Sequence, residues 1–232
     1  MKFDRSCWFT TAAVFVVVLA MGRFALGFSP IEAYFFALAS AALLLCINLV
    51  HEMGHVVVGS AFALKPKEVV ILGWGAKTTY AGGAHNPRDL AIISLAGPGG
   101  NLAVAVVVGA TIPFLGQQGL VLPSIAPPMR EGLGLVAVVY CLINLAYAGL
   151  NLTPFYPRDG GRAFHALLWH LLNDRSRAET VCRQAGIALL LCAVVFFAAR
   201  GEPMACAFIL VLGGETLIHD LGAVLRSKLR SS

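Results

Sequence analysis

The sequence predicts an all-α, polytopic membrane protein of about six transmembrane helices with a short β-hairpin or edge strand, and two observations carry that expectation. Of the 232 residues, 58% are hydrophobic and 12% charged, against roughly 25% charged in soluble globular domains. The apolar residues are also gathered into runs close to the ~20 residues that a helix needs to cross the hydrocarbon core of a bilayer. An ordinary water-soluble fold is excluded. The formal net charge of +5 does not signal nucleic acid, because the basic residues are scattered between apolar segments rather than gathered on one face. Cys7, Cys46, Cys141, Cys182, Cys192 and Cys206 show no C-x-x-C spacing, and nearly all lie inside apolar runs, where a thiol behaves as a small hydrophobe. Neither disulfides nor a thiolate metal site is expected.

The first span is placed near residues 8 to 28. Met1 to Arg5 ahead of the apolar stretch Trp8 to Met21 also has the form of a signal peptide, but no clear A-x-A cleavage site follows and the rest of the chain is equally apolar, which favours an uncleaved span. The remaining spans are placed near 31 to 58, 89 to 112, 132 to 153, 181 to 199 and 203 to 221. Between the second and third, the run from Val69 to Gly75 followed by Lys77-Thr78-Thr79-Tyr80 is too short to cross as a helix and rich in strand formers, which predicts the hairpin or interfacial strand. Pro113, Pro123, Pro127 and Pro128 make residues 113 to 131 an expected outer loop. Residues 159 to 180 read as a helix at the membrane surface and then a polar connection. A single integral membrane domain over residues 1–232 is expected, with no internal repeat.

Lys and Arg favour the cytoplasmic side of a membrane. With the N-terminus inside, six spans put fourteen of the seventeen Lys and Arg residues in or near the cytoplasm, leaving Arg23, Arg130 and Arg200 outside. Both termini are therefore expected to be cytoplasmic in a multi-pass protein of the cell membrane. The ends of spans two and four then face the same side, so polar motifs about a hundred residues apart can meet.

The first of those motifs is His51-Glu52-Met53-Gly54-His55. At about 100° per residue, a four-residue step returns both imidazoles to one helix face, a spacing that suits two ligands on one zinc. Glu52 sits beside them, close enough to take a proton from a zinc-bound water whose pKa the metal lowers to about 7. The motif follows an almost uninterrupted apolar run from Ile31 to Val50, and ionisable residues at membrane depth cost about 2.5 to 3.5 kcal/mol each on insertion scales. Three polar residues at a hydrated helix end would be the bland alternative. Catalytic zinc takes three protein ligands and keeps one open position. A third ligand is available in Asn151-Leu152-Thr153-Pro154-Phe155-Tyr156-Pro157-Arg158-Asp159-Gly160-Gly161, where two prolines break the end of a span and irregular backbone must line a cavity or be buried in protein. Asp159 is the candidate there; the alternative is an N-cap for the helix that follows.

With both motifs in view, the chain resembles the site-2 protease family of intramembrane zinc metalloproteases, the M50-like peptidases. That family pairs H-E-x-x-H in one span with N-x-x-P-x-x-P-x-D-G in a later one; His51, Glu52 and His55 match the first, and Asn151, Pro154, Pro157, Asp159 and Gly160 match the second. The resemblance covers residues 31 to 172, a three-helix catalytic core, and says less of the first and last two helices. It implies one Zn2+ per chain held by His51, His55 and Asp159, with Glu52 as general base. The run Ala96-Gly97-Pro98-Gly99-Gly100-Asn101 resembles the small-residue segment of the family's central span. Its glycines allow close helix packing, and Asn101 is either an oxyanion donor or a bond between helices. Asn151 is either a backbone brace or a substrate contact.

Other ionisable pairs compete weakly with this set. Glu215 and His219 are four apart but lie at the end of the last span, His165 and His170 fall on the surface helix, and His85 has no partner at ligand spacing. The expected activity is hydrolysis of a peptide bond in or near the transmembrane segment of another membrane protein, as in regulated intramembrane proteolysis. The alternative is a non-hydrolytic zinc-binding membrane protein or transporter, which would not need a base beside its ligands. The family often carries an added PDZ or CBS domain, and none is visible in this sequence. Expected partners are the lipid bilayer, a transmembrane protein or peptide substrate and a regulatory membrane partner or second copy of the chain, with no nucleic acid.

Overall fold

Two helix starts are set by capping residues next to the apolar runs. In the computed structural model, which describes residues 1–72, 75–116, 127–211 and 213–214, Asp4 caps helix α1 (Arg5–Ala20) by accepting a hydrogen bond from Ser6 N at 2.9 Å. A π-helical stretch, Met21–Ala25, continues it. Helix α2 (Pro30–Ala61) opens on a capping box, with Ser29 and Glu32 each bonding the other's backbone N–H and Pro30 in the first turn, the pattern that satisfies donors a helix start leaves open. At 1.5 Å per residue its 32 residues extend about 48 Å, more than the ~30 Å of hydrocarbon in a bilayer. Its face bearing Ala33, Ala37 and Ala41 is buried, while Phe15 of α1 meets Tyr34 edge-on at 5.6 Å.

After α2 come β2 (Pro66–Leu72) and β3 (Gly75–Tyr80), preceded in the chain by β1 (Lys2–Phe3). They form a three-stranded sheet in the order β1-β2-β3. β2 and β3 pair antiparallel, Val69 opposite Thr78 and Val70 opposite Lys77, with an irregularity between Pro66 and Glu68. β1 pairs parallel to β2, Lys2 opposite Val70 and Phe3 opposite Ile71. The hairpin expected from the sequence is present, but its first strand is the centre of the sheet. Gly73 and Trp74 lie outside the described residues. Lys2 Nζ reaches Glu68 Oε1 at 2.8 Å, and this partner holds the exposed Glu68 carboxyl below its ordinary pKa.

Helix α3 (Pro87–Gly116) contains Pro98 and Pro113, and α4 spans Pro127–Asn151. Helices thus occupy part of the expected 113–131 loop; 117–126 lie outside the described residues. Helices α5 (Asp159–Leu172) and α6 (Arg175–Ala199) follow. The expected polar connection up to residue 180 is only Asn173 and Asp174. Asn173 ends α5 in the left-handed region at φ 53°, and Asp174 caps α6 by accepting from Arg177 N at 3.0 Å. The helix therefore starts six residues before the apolar run does.

Among the described residues, Arg5–Ala25, Pro30–Ala61, Pro87–Pro113 and Arg175–Ala199 are each long and apolar enough to cross a membrane, and Val136–Asn151 is a shorter apolar helix. Of the sixth expected span, residues 203–211 are helical, whereas 212 and 215–221, with Glu215 and His219, lie outside the described residues. Phe9, Phe24, Val106 and Val195 are each at least 67% exposed, the reverse of the patterning that water selects.

The chain divides into two compact units, Met1–Gly83 with Ala96–Ala148, and Ala84–Leu95 with Gly149–Ser232. The boundaries fall just ahead of α3, inside it and near the end of α4. The His-Glu-His motif belongs to the first unit, and Asp159 to the second.

Candidate metal centre

In the first unit, α2 carries Asn48, His51, Glu52 and His55 on one buried face, as steps of three and four along a helix require. His51 Nε2 and His55 Nε2 stand 3.3 Å apart. Ligand atoms of His51, Glu52 and His55 all lie within 4.8 Å of one another. Two nitrogens bound to one tetrahedral zinc at about 2.0–2.1 Å each are about 3.3–3.4 Å apart, so the imidazole pair has the separation that a shared zinc requires.

The space in front of these nitrogens depends on glycine. A Cβ at Gly97 of α3 would lie 2.3 Å from His55 Nε2 and 2.7 Å from His51 Nε2. At Gly54 of α2 it would lie 2.3 Å from Ala96 O. The two helices thus meet backbone to backbone, the close approach that small residues allow in membranes. Asn101, one turn along α3, is thereby brought against α2. Its Oδ1 is 2.8 Å from His51 Nδ1, and its Nδ2 donates to Ile47 O at 3.2 Å and to Asn144 Oδ1 at 2.9 Å. Both amide hydrogens are occupied and the residue is fully buried, which favours the bond between helices over the oxyanion donor.

Glu52 is buried beside the imidazoles, and its carboxylate accepts a hydrogen bond from Thr78 Oγ1 of β3. Two residues on, Tyr80 OH donates to His55 O at 2.6 Å. Thr78 and Tyr80 share one face of β3, as alternation along a strand demands, and dock the hairpin onto the helical turn that carries the motif. From α4, Tyr147 presents its ring edge-on to His51 at 5.2 Å while its hydroxyl donates to Asn48 Oδ1 at 2.7 Å.

Sequence reasoning passed over Thr78, Tyr80, Asn144, Tyr147 and Asn48. A signal existed for Asn48 and Asn144, since each interrupts an apolar run, and Asn48 shares a helix face with His51 and His55. Nothing local marks Thr78, whose role depends on strand register.

In the second unit, Asp159 is the first residue of α5 and is buried. The cap position belongs to Arg158, which makes no side-chain capping bond, so Asp159 is not the N-cap that the sequence left open. The turn before it is tight. A Cβ at Gly160 would lie 2.1 Å from Leu152 O, and one at Gly161 2.4 Å from Tyr156 N, so both glycines let residues 152–156 fold back over the helix start. Cys182 Sγ donates to Gly161 O at 3.3 Å, tying α6 to the same turn. Asn151 ends α4, half-buried. His165 is buried rather than interfacial, with Nε2 3.2 Å from Arg175 O, whereas His170 and His85 are exposed.

The sequence model of Peptidase family M50 matches residues 39–193 of this chain. Rip3 of Mycobacterium tuberculosis, named as a zinc metalloprotease, is 30% identical over 172 residues, covering 72% of this chain and 41% of that protein. The protein sll0528 of Synechocystis, named likewise, is 27% identical over 149 residues, 64% of this chain and 36% of its own length. The chain spans about two fifths of the length of these curated relatives. In architecture it is similar to a site-2 protease from Methanocaldococcus jannaschii, with a TM-score of 0.59 at 19% identity over 90% of this chain and 86% of that one. That likeness establishes a shared fold.

Proposed function

Because the chain belongs to peptidase family M50, we propose that it is a zinc-dependent intramembrane endopeptidase that hydrolyses a peptide bond in or next to a transmembrane segment of another protein. The observation that carries this reading is the buried His51-Glu52-His55 set in an apolar helix, with two imidazole nitrogens 3.3 Å apart and a carboxylate beside them. His51 and His55 would hold the metal, with Asp159 proposed as the third ligand. The burial of Asp159 at the start of α5 supports that assignment, as does its match to the family's D-G motif. When bound, zinc polarises the scissile carbonyl and lowers the pKa of the attacking water. Glu52 accepts the proton from that water and delivers it to the departing amine nitrogen.

The reaction site lies nearer the cytoplasmic side, with both termini in the cytoplasm. His51 stands about 32 Å along α2 from Pro30 at 1.5 Å per residue, close to one full crossing of the hydrocarbon core. The distribution of Lys and Arg makes that side the cytoplasmic one. Substrate choice rests on the spans, the hairpin and any membrane partner.

Purified protein should contain about one zinc per chain and cleave a transmembrane substrate in a chelator-sensitive way. Asp159→Ala should lower both zinc content and cleavage. Cleavage that survives complete removal of zinc would overturn the metalloprotease reading, and full zinc retention in Asp159→Ala would remove that residue from the ligand set.

A helical substrate hides its carbonyls in its own hydrogen bonds, so the segment to be cut must be extended. Strand addition to an edge of the sheet beside the motif would hold it so. β2 already has neighbours on both sides, and of the two outer strands β3, six residues against the two of β1, offers the longer edge to receive it. Ile71 O accepts from Asp4 N, so Ile71 turns its backbone groups towards β1 and away from its β3 partner Ala76; the Ala76 N–H therefore faces the outer edge, where proline is tolerated in a sheet. Ala76→Pro should reduce cleavage about 2- to 10-fold with zinc content unchanged, the cost of about one lost hydrogen bond to the substrate. Unaltered cleavage would rule out strand addition at β3.

A further inference from the structure

Asparagines tie three helices of the first unit together at one buried point, and the direction of the hydrogen bonds follows from the far end of the chain they form. Asn144 Nδ2 donates to Tyr140 O at 2.9 Å, so Asn144 Oδ1 is the acceptor that meets α3. Asn101 Nδ2 donates to that oxygen at 2.9 Å and to Ile47 O at 3.2 Å. An Asn101 amide turned the other way would set oxygen against oxygen at both contacts. Its Oδ1 therefore faces His51 Nδ1 at 2.8 Å. A carbonyl oxygen only accepts, so the His51 proton sits on Nδ1 and Nε2 is the basic nitrogen, the one 3.3 Å from His55 Nε2. Asn101 and Asn144 are 0% exposed, so bulk water does not stand in for either partner.

We infer that Asn101 and Asn144 are positioning residues that act in series, Asn144 holding the Asn101 amide in one orientation and Asn101 selecting the His51 tautomer that offers Nε2 to the metal. The inference rests on the zinc-protease reading in that it takes His51 as a ligand. Without Asn101, the Nδ1 proton loses its buried acceptor, and the opposite tautomer, with Nε2 protonated, competes. Partners of this kind are worth about 10–100-fold in metal affinity.

The test uses the purified full chain, with zinc affinity measured by competition with a chromophoric chelator, and 15N spectra of histidine-labelled, zinc-loaded protein. His51 resonances are identified by their loss in His51→Gln. Native protein is expected to show Nδ1 protonated and Nε2 bound. Asn101→Leu should weaken zinc binding about 10–100-fold. Asn144→Leu should fall between native and Asn101→Leu. Zinc bound through His51 Nδ1 or native affinity in Asn101→Leu would overturn the inference; native affinity in Asn144→Leu would remove Asn144 from it. Should Asn101→Leu fail to fold, the native spectrum and Asn144→Leu decide. Native protein that binds no zinc would instead sink the protease reading itself.

Discussion

Glu52→Gln is expected to leave about one zinc per chain and to lower turnover by a factor of about 10² to 10⁴, the usual contribution of a positioned general base. The substitution keeps the side chain's size. It also keeps an oxygen to accept the hydrogen bond from Thr78 Oγ1, so the docking of the hairpin on α2 survives. What it removes is the ability to take a proton. The comparison separates three roles for one carboxylate, because Glu52 has an oxygen close enough to both imidazoles to be a ligand as well. Zinc retained with cleavage lost identifies the base, and zinc lost identifies a ligand. Cleavage retained would exclude Glu52 from the chemistry and favour the non-hydrolytic alternative for the motif.

Gly97→Ala is expected to weaken zinc binding while leaving the helices in place. The added methyl carbon would sit 2.3 Å from His55 Nε2 and 2.7 Å from His51 Nε2, in the space that the metal needs. Neither imidazole can move far, since His51 is held by Asn101 and both rings are buried. Overpacking of this kind costs about 1–3 kcal/mol, or roughly 5- to 150-fold in zinc affinity, with cleavage falling in step. Gly99→Ala is the control. It lies two residues along the same helix, where a Cβ meets nothing within 4 Å, and alanine is the better helix former by about 1 kcal/mol. That variant should bind zinc as native protein does. Equal zinc binding by the two variants would show that the Gly97 cradle is not the metal site.

Much of this arrangement was legible in the chain itself. The bilayer requires apolar runs near 20 residues, so α1, α2, α3 and α6 could be located from hydropathy alone, and the capping residues Asp4, Ser29 and Asp174 corrected their starts by a few residues. His51, Glu52 and His55 could be read as one cluster because four residues make about one helical turn, and a helix brings such residues together without help from the rest of the fold. Strand β1 was missed because two residues before a helix carry no periodicity. The polar connection expected up to residue 180 was misplaced because hydropathy reports where a span is apolar, not where its helix begins.

Features that depend on local period could thus be read along the chain: a membrane protein of apolar helices, a hairpin after the second of them, and two imidazoles with a carboxylate on one helix face. Tertiary structure decided what depends on contacts between segments. It put β2 in the middle of the sheet, set Thr78 on Glu52, brought Gly97 against both imidazoles, and placed the Asn101 amide beside His51 Nδ1. Those outcomes rest on helix approach and strand register across separations of 26 to 68 residues. No spacing rule within one element encodes them.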